Sequence, residues 1–155
     1  MQDRTEEIVA LMKEGYRKGY RHISKEVLTE FIRCEWQSNR WAMIVDQQNP
    51  EKILGWISWY ILDNDSLANV QEHGILGCFK KDIALSQGDN LYLCNAVVRQ
   101  GVPSGVFRLL VNMAKQANPE ARTISGHLRN REGSVFRWAS FRLPERSEAL
   151  DRLVS

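Results

Sequence analysis

Between Val106 and Ala117 the apolar side chains fall at 106, 109, 110, 113, 114 and 117, the i, i+3, i+4, i+7, i+8, i+11 series that sets them on one side of an α-helix. Such a stripe needs a sheet to lie on. Two strand-like runs flank it, Leu91–Val98 before and Ala121–Leu128 after, the second set off by the breaker Asn118-Pro119. A turn containing Gly101, Pro103, Ser104 and Gly105 joins the first run to the helix, so the centre of the chain reads strand, glycine turn, helix, strand.

Upstream, the pattern predicts a helix from Asp3 to about Gly15, with Ile8, Leu11 and Met12 as a short apolar edge and Glu6 and Glu7 in the first turn. Gly15 to Ser24 repeats Gly-Tyr-Arg around two glycines and reads as a loop or an irregular helix end. Ser24 caps a second helix that turns Val27, Leu28, Phe31, Ile32 and Trp36 to one side and Lys25, Glu26, Glu30 and Arg33 to solvent. Trp41–Val45 and Ile53–Leu62 are aromatic and β-branched, lie a hairpin's length apart, and form an antiparallel pair. Gly55 inside the second marks a bulge or a close backbone approach.

Asp63 to Gln87 is the least patterned stretch, read as a short helix from Ser66 to Glu72 and then an irregular or strand-like crossing through Ile75 to Phe79. Beyond Leu128 two readings stay open. One is a helix from near Asn130 with Val135, Trp138 and Ala139 inward; the other is a turn at Arg131–Gly133 and a strand from Ser134 to Leu143. The helix is favoured. Pro144 ends either element, and Ser147–Val154 reads as a weak terminal helix or a frayed tail.

Composition narrows the class. At 155 residues, 43% hydrophobic and 26% charged, the chain reads as one domain over 1–155, cytoplasmic, with no membrane span and no secretory signal. Three cysteines without CxxC spacing argue against a disulfide framework or a zinc site. The net charge of +2 is unevenly spread: residues 1–98 carry 11 basic and 14 acidic side chains, residues 99–155 carry 10 and 5. The basic C-terminal third suits an acidic partner such as cofactor phosphates, an acidic carrier protein or nucleic acid.

The order helix, helix, hairpin, crossing, strand, glycine turn, helix, strand, with a last element opening at Asn130, resembles the GNAT acyltransferase superfamily over nearly the whole chain. The resemblance implies an α+β, three-layer (α/β) fold: a mixed, mostly antiparallel central sheet with helices on both faces. It implies that the glycine turn aims backbone N–H groups and a helix N-terminus at the donor's pyrophosphate, with Val97, Arg99, Gln100, Gly101, Ser104, Gly105 and Asn130 as the donor-binding set. It also implies two parallel strands that splay and leave amides to hold an oxyanion. Two departures stand out. Val102 and Pro103 occupy the spacing where the usual Gln/Arg-x-x-Gly-x-Gly/Ala pattern has glycine, and Arg137 stands where the family's proton-donating tyrosine would follow Asn130 and Gly133.

A narrower resemblance runs from His22 through GWISWYIL to GDNLYLCNAVV, and looks like the RTX toxin-activating lysine acyltransferases. It implies acyl-carrier protein or acyl-CoA as donor, no tightly bound cofactor, a protein lysine as acceptor, and a catalytic pair at His22 and Asn95. Imidazole is a suitable base near neutral pH; Asn95 stands where that family has aspartate, and orients by hydrogen bonding without charge. Acetyl-CoA-dependent acetylation of a small amine or peptide, and a GNAT-like module without activity, are the alternatives; a homodimer is left open. His73 and His127 read as structural, and Cys94 lacks an adjacent cation to activate it. Trp56, Trp59, Tyr60 and Tyr92 read as core before groove walls. Arg129, Arg131, Arg137 and Arg142 with Trp138 or Phe141 form the weaker case for nucleic acid, which lacks a recognised motif.

Overall fold

The computed structural model describes residues 2–15, 20, 22–129 and 135–144. Along them run α1 (Thr5–Gly15), α2 (Lys25–Ser38), β1 (Trp41–Val45), β2 (Ile53–Leu62), α3 (Asn64–Lys80), β3 (Asn90–Val98), α4 (Gly105–Ala117), β4 (Thr123–Arg129) and β5 (Val135–Arg142). The strands form a five-stranded sheet in sequence order, antiparallel throughout except for the parallel pair β3–β4.

Alternation along each strand sorts side chains to two faces. One face carries Met43, Trp56, Leu62, Tyr92 and Val97 against α1, α2 and α3; the other carries Ala42, Ile57, Trp59, Leu91 and Ile124 and receives Leu110 and Ala114 of α4. Trp56 is fully buried and stacks with Trp41 at 5.0 Å and Trp36 at 6.0 Å, so the tryptophans at these positions are core. Each large side chain buried to this degree contributes about 1.5 to 3 kcal/mol.

Ser24 caps α2 as expected, accepting from the Val27 N–H at 3.1 Å. Three residues of the expected stripes face out: Val27 is 46% exposed and Leu109 51% exposed, each at the margin of its helix's buried arc, and Ala117 is exposed as the last residue of α4. The expected crossing after Glu72 is corrected: Ile75–Phe79 is helical and belongs to α3, which breaks at Gly74 (φ 72°, ψ 170°) and resumes. That backbone geometry favours glycine. Asp63 caps α3 by accepting from Ser66 N–H at 2.8 Å.

The favoured helix after Leu128 is also corrected. Val135–Arg142 is a strand, and its ladder with β4 runs from Thr123↔Arg142 to Arg129↔Val135. Periodicity there was ambiguous, and the unpaired N–H and C=O groups along the outer edge of β4 decide for a strand. Asn130, Gly133 and the tail after Pro144 lie outside the described residues.

Gly55 meets both halves of its expectation. A register shift lies beside it, Ile44 pairing with Gly55 and Val45 with Ile53. A Cβ on Gly55 would also stand 2.8 Å from Leu110 Cδ1 of α4.

Candidate active site

The parallel pairing of β3 with β4 begins at Asn90↔Thr123 and ends at Leu93↔Gly126, although β3 continues to Val98 and β4 to Arg129. Beyond Leu93 and Gly126 the two strands run unpaired with each other. At the same point β3 bulges, Ser58 pairing with Asn95 but Trp59 with Leu93, so Cys94 is an extra residue. A bulge re-aims the side chains around it, and here Cys94 and Asn95 both face the α1–α3 side.

A cavity of about 380 Å³ opens there, of a size that takes small ligands. His22, Tyr92, Cys94, Asn95 and His127 line it, and the Gln71–Gly77 stretch of α3 forms its far wall. Both residues of the expected pair therefore reach one cavity. His22 is exposed at the rim, on a turn closed by Ile23 N–H donating to Tyr20 C=O at 3.2 Å. Lys13 of α1 pins that turn by donating to the Tyr20 carbonyl at 2.7 Å and to the Ile23 carbonyl.

Asn95 is buried and its amide is held at both ends. Tyr20 O–H donates to Oδ1 at 3.2 Å, and Nδ2 donates to Glu35 Oε1 at 3.0 Å. Glu35, missed by the sequence reading, is 2% exposed in the last turn of α2. The signal was present: Leu28, Phe31 and Ile32 begin a stripe whose i+7 position is 35. Burial raises the Glu35 carboxyl above the ordinary carboxylate range, while Ser58, Asn95 and Cys94 favour its ionised form and offset part of the rise. Ser58 Oγ and Glu35 Oε2 are both buried, and neither meets hydrogen-bond geometry among the described residues. This environment explains an amide at 95: an aspartate would set two carboxyls together, of which one must keep its proton.

His127 sits one residue past the last parallel pair. Its Nδ1 lies 2.8 Å from Tyr92 Oη and its Nε2 3.0 Å from the Gln71 carbonyl oxygen. Trp138 of β5 stacks on Tyr92 at 5.9 Å and meets His127 edge-on at 4.8 Å, outside the cavity lining. Arg137 is exposed and, by alternation from Trp138, lies on the opposite sheet face.

The glycine turn follows the end of β3. Arg99 is tied down, its N–H donating to Leu54 C=O at 2.8 Å and its Nε to Ile53 C=O at 2.7 Å. Gly101 takes φ 86° inside a turn in which Val102 N–H donates to Arg99 C=O at 3.4 Å, the left-handed third position of a type II turn. Gln100, Gly101, Ser104 and Gly105 are exposed, and Ser104 opens α4 without a side-chain cap. The Val97 side chain is fully buried, which leaves only its backbone for a ligand. Asn130 lies outside the described residues.

A larger cavity of about 820 Å³ lies between the end of β2 and Asp82–Gln87, and none of the groups above lines it. Among the described residues no set of three His, Cys, Asp or Glu side chains is grouped to hold a metal, and no helix is long and apolar enough to cross a membrane.

A mixed five-stranded sheet sandwiched by helices, with its one parallel pair forking beside a glycine turn that opens a helix, is a GNAT-like α+β fold. A solved structure similar to it is the GphF GNAT-like decarboxylase in complex with isobutyryl-CoA, with a TM-score of 0.55 and 14% identity over 80% of this chain. This chain spans 63% of that protein's length. No protein-family model matches the sequence, and no curated protein matches it.

Proposed function

We propose that the chain is an acyltransferase that moves an acyl group from a thioester donor to an amine, a protein lysine as in the toxin-activating lysine acyltransferases. The observation that carries this reading is the fork of β3 and β4 beside a cavity reached by both His22 and Asn95. The neighbour's isobutyryl-CoA supports a coenzyme A thioester as donor, and acyl-carrier protein presents the same pantetheine arm. The exposed backbone of Gln100, Gly101, Ser104 and Gly105, at the start of α4, suits the donor's phosphates. From Arg99 back to Asn95 is about 13 Å of strand, along which an extended arm reaches the cavity.

An amine arrives as an ammonium and must lose a proton before it attacks. His22 at the rim takes that proton and passes it to solvent. Asn95 Oδ1 keeps a second lone pair beside the one Tyr20 uses, and directs the amine. Backbone N–H groups of β3 beyond Leu93 receive the oxyanion.

Incubation with acetyl-CoA, a long-chain acyl-CoA, a carboxylated acyl-CoA and acylated carrier protein tests the reading. A donor at 100 times its Kd adds about 2.7 kcal/mol to folding stability, visible as a thermal shift. Thiol release that requires an amine supports transfer, and His22→Ala lowers it by at least about 100-fold. Acetyl-CoA alone serving with small amines moves the assignment to a small-amine acetyltransferase. Carbon dioxide release without transfer moves it to decarboxylation. No shift with any donor leaves a binding module.

A further inference from the structure

Resting on the acyl-transfer reading, one step lacks a residue: the leaving thiolate needs a proton, and Arg137, where the superfamily's tyrosine would be, lies on the wrong face of the sheet. The geometry points to Tyr92 as the catalytic acid, with His127 behind it as its proton store.

The hydrogen-bond directions follow from one fixed partner. A main-chain carbonyl only accepts, so the contact of 3.0 Å to Gln71 C=O places a hydrogen on His127 Nε2. In the neutral ring Nδ1 then carries the lone pair and accepts the Tyr92 O–H at 2.8 Å. With a second proton the ring donates from both nitrogens, Nε2 still to Gln71 and Nδ1 now to Tyr92 Oη, and the hydroxyl hydrogen is released to face the cavity. The same two contacts serve both states without movement of either ring, and Trp138 packs against both rings. Tyr92 is 4% exposed and both side chains line the cavity at the fork, where an arm entering between β3 and β4 presents its sulfur.

The proton balance closes. The neutral amine attacks, forming the C–N bond and an oxyanion, and its nitrogen becomes positive. That nitrogen gives a proton to Tyr92 Oη while the Tyr92 hydrogen passes to His127 Nδ1, leaving an imidazolium. The oxyanion collapses, the C–S bond breaks, and the thiolate takes the Tyr92 proton as Nδ1 returns its own. Amide and free thiol result, with the dyad restored; the first ammonium proton has already left through His22.

Leaving-group dependence separates this role from a structural one. In Tyr92→Phe and His127→Gln, transfer from an alkyl thioester of coenzyme A falls at least about 100-fold. Transfer from an aryl thioester, whose thiol departs without a proton and whose N-protonated product then loses its own to solvent, stays within about threefold of wild type. Equal losses on both donors, or none on either, overturn the relay and leave acyl transfer standing. Wild-type protein that turns over neither donor overturns both. Independently of turnover, the ¹⁵N spectrum of the wild-type His127 ring shows hydrogen on Nε2 in the neutral form; hydrogen on Nδ1 overturns the relay.

Discussion

Gly88, between α3 and β3, permits a backbone crossing that no side chain fits. A Cβ there would stand 2.5 Å from Asp63 N and 2.6 Å from Leu62 O, where ordinary contact begins at 3.4 Å. All the obstructing atoms are main chain, so no rotamer change relieves them and the strands must part by most of an ångström. The displaced segment carries Asp63 N–H to Ser86 C=O at 3.0 Å, Gly88 N–H to Ile61 C=O at 3.3 Å, and the Asp63 cap of α3. Losing the cap costs about 1 kcal/mol, each weakened hydrogen bond up to about 1 kcal/mol, and overpacking of this kind about 1 to 3 kcal/mol in all. Gly88→Ala is therefore expected to lose about 2 to 3 kcal/mol. With a urea slope of about 2 kcal/mol/M, the midpoint moves down by about 1 to 1.5 M. Gly105→Ala is the control: nothing lies within 4 Å of its Cβ, and alanine at the head of α4 gains about 0.4 to 1 kcal/mol. A Gly88→Ala midpoint no lower than that of wild type refutes the packing argument.

Other outcomes follow from the same geometry. The raised Glu35 carboxyl keeps a proton in the fold that the unfolded chain releases above the ordinary carboxylate range, so wild-type stability falls as pH climbs through and above that range. Glu35→Gln does not titrate; its advantage in melting temperature over wild type grows from pH 4.5 to pH 8, and parallel curves would contradict the burial argument. Asn95→Asp adds a second carboxyl beside Glu35 and should steepen the loss of stability with pH, measured in the same melts. Leu110→Ala opens a hole under α4 and costs about 2 to 5 kcal/mol, whereas Leu109→Ser, one residue away and half exposed, stays within about 0.5 kcal/mol by urea titration.

Much of the frame was legible because it is local. The Val106–Ala117 stripe, the Ser24 cap, the hairpin and the run into the glycine turn each announce themselves within a dozen residues, and each is found where expected. Failures came where the deciding partner is distant. Gly74 interrupts the phase of α3, so two helical pieces read as one helix and a crossing. The strand after Leu128 owes its form to the free edge of β4, which the local pattern does not contain. At the site, His22 and Asn95 were proposed by resemblance, while Glu35 and the Tyr92–His127 pair were passed over. A glutamate in an apolar stripe and a histidine late in a strand acquire meaning only when α2 and α3 are laid on the sheet.

The extra residue at Cys94 makes the layout of the cavity a matter of parity. Positions 92 and 95 differ by an odd number, and in an unbroken strand their side chains would point to opposite sides. One inserted residue resets the count, so the hydroxyl of Tyr92 and the amide of Asn95 open into the same space. Excising Cys94 would leave the two groups at alternate positions of a regular strand and still on one side, whereas straightening the strand with every residue kept would turn one of them away from the cavity.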